Sequence, residues 1–168
     1  MQQRLSLRLQ TIFDHLNPRQ DVWDFCCDHG YLGGAAYKSQ KFANIYFVDQ
    51  VESIIQKLKT RFDQFVFSEN SPSQAYFLCQ SGESLTQEIT GTISITGVGG
   101  LTIYTILSEL SQQNNLKAER LILGPHRDNE KLLKLISVDA NLNNYYLKKT
   151  TTVIEDGRNR DIFIFDLS

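Results

Sequence analysis

No apolar run in this 168-residue chain approaches the ~18 residues of a membrane span, so no membrane segment is expected. The opening residues, Met1 to Arg8, lack an apolar signal core, so no secretory leader is expected either. Cysteine is scarce: Cys26 and Cys27 are adjacent and Cys79 lies far away. Three thiols without a spaced framework exclude a disulfide scaffold and read as reduced thiols of a cytoplasmic protein. There is no C-x-x-C pair, and His15, His29 and His126 are scattered, so no metal site is expected. A basic excess is also missing. The formal net charge is -2, which argues against a general nucleic-acid binder. Local basic patches remain open at Arg4 and Arg8, Lys148 and Lys149, and Arg158 and Arg160, each of which reads equally well as solvated surface. Neither G-x-S-x-G nor G-x-G-x-x-G occurs. With no repeat, low-complexity tract or linker, residues 1–168 read as one domain, an N-terminal helix within 1–18 followed by a core over 20–168.

What is present is an ordinary globular composition, 41% apolar and 21% charged, with clear periodicity. Leu5, Leu7, Leu9, Ile12, Phe13 and Leu16 recur at helical spacing until Asn17-Pro18 stops them. Strands are predicted at Val22–Cys26, Ile45–Asp49, Tyr76–Cys79, Thr92–Thr96 and Arg120–Leu123. A turn over Gly30–Gly34 leads into a short helix through Ala35, Ala36 and Tyr37. Further helices are predicted from Val51 to Phe65, from Leu101 through Leu110, and from Glu130 to Val138. Ser68 to Gln74 reads as a polar surface loop, and Gln112 to Asn115 as a second. Tyr145–Glu155 and Asp161–Leu167 form a closing hairpin around Asp156 to Asn159. Alternation of strand and helix implies an α/β fold with a parallel, doubly wound sheet.

Ligands of such sheets sit at the carboxyl ends of the strands. The first such loop, Asp24-Phe25-Cys26-Cys27-Asp28-His29-Gly30-Tyr31-Leu32, offers a strand-ending acid and a tight turn suited to an adenosyl cofactor. It reads equally well as a plain turn with two buried cysteines. Asp49 ends the second strand, where a carboxylate can accept hydrogen bonds from both ribose hydroxyls; it can also cap the helix near Val51. After the third strand, Gly82-Glu83-Ser84-Leu85 places an acid within reach of an adenine amino group, or forms only a surface turn. Gly97-Val98-Gly99-Gly100 follows the fourth strand and lets a ligand approach the backbone, if it is more than a tight turn.

Taken in order, these pieces resemble the bacterial tRNA (adenine-22-N1) methyltransferase family. Leu5-Ser6-Leu7-Arg8-Leu9 matches its Leu-Ser-x-Arg-Leu opening. Asp24 to Leu32 is similar to its acid, apolar, Gly, Ser, Asp, His, Ala, Tyr, Leu loop, with Cys26, Cys27 and Gly30 in place of the glycine, serine and alanine. Val48-Asp49-Gln50, Gly82-Glu83-Ser84-Leu85 and Gly97-Val98-Gly99-Gly100 stand where it has Gly-Asp-Val, Gly-Asp-Gly-Leu and Gly-Met-Gly-Gly. Leu121 to Pro125 resembles its Leu-Ile-Leu-Gln-Pro, with His126 where asparagine is common, and Glu155-Asp156-Gly157-Arg158 its Glu-Asp-Gly-Lys. Members carry a further C-terminal helical domain that is not within these residues.

The resemblance implies a Rossmann-like class I methyltransferase, a mostly parallel seven-stranded sheet with a C-terminal antiparallel hairpin. It implies S-adenosylmethionine as cofactor, held by Asp24, Cys26, Gly30, Asp49, Gln50, Glu83, Gly97 and Gly99. The acceptor it implies is adenine N1 in tRNA or another RNA. Asp28 would orient the adenine amine or take its proton, and His29 and Tyr31 would place the flipped-out base. Asp28 and His29 read equally well as a loop-stabilising pair. Two alternatives stay open: a non-catalytic Rossmann-like binding module or a methyltransferase with another substrate, which the missing loop glycine would suit, and a nicotinamide-dependent oxidoreductase, which the absent G-x-G-x-x-G opposes.

Overall fold

The computed structural model describes residues 4–63 and 72–168. Met1 to Gln3, Phe65 of the third predicted helix, and Ser68 to Ser71 of the first polar loop lie outside the described residues. In chain order the elements are α1 (Leu7–Phe13), β1 (Val22–Phe25), α2 (Tyr31–Ser39), β2 (Asn44–Asp49), α3 (Glu52–Phe62), β3 (Gln74–Cys79), β4 (Thr92–Thr96), α4 (Gly100–Gln112), β5 (Arg120–Gly124), α5 (Asn129–Val138), β6 (Tyr145–Glu155) and β7 (Arg158–Leu167). A single 3-10 turn, Gly82–Ser84, follows β3.

The strands form one seven-stranded sheet in the order β3-β2-β1-β4-β5-β7-β6. The first five strands in chain order pair in parallel, while β7 runs antiparallel between β5 and β6. Alternating side chains feed two cores. Trp23, Phe25, Ile93, Ile95, Phe163 and Phe165 pack beneath α4 and α5. Val22, Ile45, Phe47, Ile122, Ile162 and Ile164 pack beneath α1, α2 and α3. Strand order reverses between β1 and β4, so their carboxyl ends diverge into a crevice.

Two turns differ from the sequence reading. Gly30–Gly34 is not a turn throughout: only Gly30 takes a left-handed φ of 60°, and α2 begins at Tyr31. Gly33 and Gly34 are helical, and Gly33 is required by packing, since an added Cβ would lie 2.4 Å from Phe47 Cε1. The closing hairpin is also tighter than Asp156 to Asn159. Glu155 pairs with Arg158, leaving Asp156 and Gly157 alone in the turn at φ 51° and 71°. Two consecutive positive φ values make the type I′ turn, whose twist matches the flanking strands. No helix among the described residues is long and apolar enough to cross a membrane.

Candidate functional site

A cleft of about 1330 Å³ runs along the carboxyl ends of the strands. Its floor is the loop after β1, and its shape follows from three residues that take left-handed backbone: Cys26 at φ 54°, Asp28 at φ 44° and Gly30 at φ 60°. Gly30 is favoured there by its backbone angle, and a Cβ would in addition crowd Leu58 Cδ2 at 2.6 Å and Phe47 Cε1 at 3.1 Å. Cys26 tolerates the conformation without being glycine, at a cost of roughly 1–2 kcal/mol. Burial, then the charges of Asp49, Asp24 and Glu83, push its thiol up to about 11, so it stays protonated at neutral pH. Cys27 is buried beside it and is raised further, for the same leading reason.

Asp24 is the buried acid of the site, 5% exposed. Its Oδ2 accepts a hydrogen bond from Gly33 N–H at 3.0 Å, which ties β1 to the start of α2. Burial dominates: it pushes the carboxyl up to about 7, with the Gly33 bond opposing and the charge of Asp49 adding to it. The unfolded chain holds this proton only near the ordinary carboxylate range, so the folded state binds more protons between about pH 4 and 7. The group's contribution to stability is therefore full at low pH and is lost as pH rises through about 7. Against Asp24→Asn, which keeps an acceptor for Gly33, the unliganded wild type should lose about 3 kcal/mol across that window. Urea denaturation of both proteins at pH 5 and 8 measures the difference. Parallel pH profiles would contradict it.

Asp49, at the tip of β2, uses both carboxylate oxygens. Oδ1 accepts from Val51 N–H at 2.9 Å, at the start of α3, and Oδ2 accepts from Asp28 N–H at 3.3 Å. Each oxygen has capacity for a second hydrogen bond, and Asp49 lines the cleft. Glu83, on the 3-10 turn, lines the same end, as does exposed Gln50. Beneath Glu83, Gly82 packs so tightly that a Cβ would lie 2.6 Å from Phe25 Cδ1.

At the mouth, Asp28 and His29 are mostly exposed, with His29 Nε2 3.7 Å from Asp28 Oδ2. His29 stacks against Tyr31 with centroids 5.2 Å apart and planes at 30°. On the fourth-strand side, Gly97 takes φ 81°, and the space a side chain would fill is empty. Thus Asp24, Cys26, Asp28, His29, Gly30, Tyr31, Asp49, Gln50, Glu83 and Gly97 line one cleft. Gly99 stands outside its wall, where a Cβ would meet Arg127 Nε at 3.1 Å.

Arg61, His126 and Glu155 also line the cleft and carry no role in the sequence reading. Arg61 of α3 sits over the Tyr31 ring at 5.9 Å and donates to the His29 carbonyl. His126, after β5, donates its backbone N–H to Val98 O at 2.9 Å, joining the fifth-strand loop to the glycine loop. Glu155, at the end of β6, pairs with Arg8 of α1. Only the fold brings these together, and helical or strand periodicity gives no sign of it. Among the described residues, no group of three His, Cys, Asp or Glu side chains is placed to hold a metal ion.

Sheet order, antiparallel β7 and an acid-lined crevice at the switch point define a Rossmann-like methyltransferase fold. A family model, the methyltransferase domain, matches residues 5–163, and the chain belongs to that family. No curated protein matches the chain by sequence. Among solved structures, the B. subtilis M1A22 tRNA methyltransferase TrmK is 21% identical, with a TM-score of 0.81 over 98% of this chain and 67% of its own. M. capricolum TrmK, in complex with S-adenosylhomocysteine, is 20% identical, with a TM-score of 0.78 over 99% of this chain and 70% of its own. The magnesium protoporphyrin IX methyltransferase of Synechocystis, with bound S-adenosylmethionine, is 16% identical, with a TM-score of 0.67 over 96% and 75%. One fold thus serves very different acceptors, and the acceptor must be argued from the site.

Proposed function

We propose that this methyltransferase uses S-adenosylmethionine and transfers its methyl group to adenine N1 of an RNA, in particular a tRNA, in the cytoplasm. The observation that carries the reading is a set of carboxylates near the carboxyl ends of β1, β2 and β3: Asp24 within β1, Asp49 ending β2 and Glu83 on the 3-10 turn after β3 all line the cleft. Apart from its carboxylate, the cofactor carries a sulfonium, an ammonium, two ribose hydroxyls and an adenine amine. These groups are cationic or hydrogen-donating, and three acids suit them. Asp49 would take the ribose hydroxyls, Glu83 the adenine amine, and Asp24 the ammonium. Gly97 leaves open space and exposed backbone beside them. The left-handed φ at Cys26 is compatible with the same reading, because it is the backbone region that glycine favours. The two TrmK structures, which match almost all of this chain, support the adenine acceptor.

The bound cofactor supplies an electrophilic methyl group; the protein's own part is alignment and proton handling. His29 and Tyr31, with Arg61 over Tyr31, form an aromatic and cationic platform at the mouth, suited to a flipped-out base. Asp28 stands beside it with an exposed carboxylate. It would hydrogen-bond the exocyclic amine, direct the N1 lone pair and accept the proton that the amine loses after N1 is methylated.

Asp28→Ala should leave S-adenosylhomocysteine affinity within about threefold while single-turnover methylation of tRNA falls ~10²–10⁴-fold. Transfer of labelled methyl to total tRNA, followed by mapping of the modified base, is the measurement. Full activity in the variant would remove Asp28 from the chemistry. A wild type that binds the cofactor but leaves every tRNA unmodified would overturn the acceptor.

A further inference from the structure

Two stretches far apart in sequence meet in the folded chain. Arg8, in the opening Leu-Ser-Leu-Arg-Leu run, places its Nε 3.0 Å from Glu155 Oε2 in the closing hairpin. Both line the cleft, at the end away from Asp49. In the β6–β7 ladder Glu155 faces Arg158, and Val153 faces Arg160. Directly paired residues share a sheet face, and Val153 is buried in the core beneath α1. Arg158 and Arg160 therefore belong to the face that carries Arg8 and Glu155.

The guanidiniums are incompletely used. Arg8 Nε and Nη1 and Arg160 Nε are buried with no hydrogen-bond partner; the Arg8–Glu155 contact is an ion pair that lacks hydrogen-bond alignment. Buried donors of this kind are rare unless water, an ion or a ligand completes them. The charges also converge on His126: after burial, Arg160, Arg8 and Arg158 are what hold its imidazole below the usual histidine range, with Glu155 opposing. The sheet order sets the polarity of the whole cleft. Asp49 and Glu83 follow β2 and β3 on one side, whereas His126, Glu155 and Arg158 belong to β5, β6 and β7 on the other. A formal net charge of -2 conceals this separation of an acidic end from a basic one.

We propose that Arg8, Arg158 and Arg160 form a phosphodiester-binding site that holds the backbone of the polynucleotide whose base is methylated. The proposal rests on the RNA reading above and adds to it the place where the strand is gripped. A planar guanidinium fork matches two phosphate oxygens, and three such forks beside the cleft would fix the strand so that one base reaches Asp28. Glu155 occupies Arg8 while no phosphate is bound, keeping it turned toward the cleft. These are positioning residues and touch none of the reacting atoms.

The test is binding of a fluorescent tRNA transcript to the full chain, followed by anisotropy over a range of salt. Arg158→Gln/Arg160→Gln should weaken binding ~10- to 100-fold at low salt and flatten the slope of log K against log salt by about 1.4–1.8, about 0.7–0.9 for each phosphate no longer neutralised. Its affinity for S-adenosylhomocysteine, read by calorimetry, should not change. Glu155→Gln should tighten RNA binding about threefold or more by freeing Arg8 from its counter-charge, a gain no folding defect produces. A wild-type slope in the double variant, or weaker binding by Glu155→Gln, would overturn this site and leave the RNA reading standing. Failure of the wild type to bind any RNA would overturn both.

Discussion

Replacing Asp49 by alanine should weaken S-adenosylhomocysteine binding by about 10²-fold or more while the domain stays folded. Hydrogen bonds to a charged group are worth roughly 1.5–3 kcal/mol each, and a ribose diol offers two, which multiplies to ~10²–10⁴ in affinity. The geometry favours a value inside that range. Asp49 is already oriented by Val51 N–H and Asp28 N–H, so little entropy is lost in presenting it. Those bonds also predict a side effect. Without Asp49 the loop after β1 loses one of its ties to β2 and keeps the Cys27 N–H bond to Val48 O, so stability should fall by about 1 kcal/mol. Asp49→Asn retains one acceptor but turns an amide N–H₂ toward either a backbone donor or a ribose hydroxyl, and should lose about tenfold. Calorimetric titration gives both numbers. An alanine variant that binds within threefold of wild type would remove Asp49 from the cofactor site.

Gly33→Ala should destabilise the domain by about 3 kcal/mol, a drop in Tm of roughly 10 °C for a chain of this size. Helix propensity argues the other way, since alanine in a helix is favoured over glycine by about 1 kcal/mol. The packing decides the sign. The new methyl group would stand 2.4 Å from Phe47 Cε1 and 2.8 Å from its Cζ. That ring cannot retreat: it is fully buried, stacked on Phe77 at 5.1 Å and set edge-on to Phe62 at 5.0 Å. Moving α2 instead would stretch the Gly33 bond to Asp24, so cofactor affinity should fall along with stability. Phe47→Leu in the same chain removes the obstruction and should recover part of the loss, which a general helix effect would not. Calorimetric melting of the three proteins is the check; a variant at or above wild-type Tm would mean that the ring does not stand against Gly33.

The parts of this fold that can be read from sequence are those fixed by local pattern. The bounds of β4 (Thr92–Thr96) and β6 (Tyr145–Glu155) agree with the reading, because β4 alternates clearly and β6 is rich in aromatic and β-branched residues and ends at Asp156-Gly157. The start of α2 is not legible. Gly30, Gly33 and Gly34 look alike in sequence, yet Gly30 is needed for its backbone angle and Gly33 for the ring of Phe47, which comes from another strand. Similarly, Gly97 and Gly99 read as one glycine loop, but Gly97 opens toward the cleft while Gly99 lies against Arg127, which follows β5.

The site divides in the same way. Asp24, Asp49 and Glu83 can be found because a strand end announces itself and each acid sits on or just after one. Arg61 cannot, since it reaches the His29 carbonyl from the last turn of a separate helix. Glu155 is visible only as a fragment of a family pattern, and Arg8 and Arg158 as fragments of that pattern and of separate basic patches. Their common purpose depends on the antiparallel return of β7, which brings the hairpin turn to the carboxyl edge of the sheet beside α1.

Isothermal calorimetry of the wild-type chain with S-adenosylhomocysteine, with NAD as the comparison ligand, decides whether the cleft is an adenosyl-donor site. The acid-lined end of the cleft predicts saturable one-to-one binding of S-adenosylhomocysteine and no measurable heat with NAD, whose paired phosphates would meet Asp24, Asp49 and Glu83. Saturable binding of NAD, or no binding of S-adenosylhomocysteine by a folded sample, would contradict it.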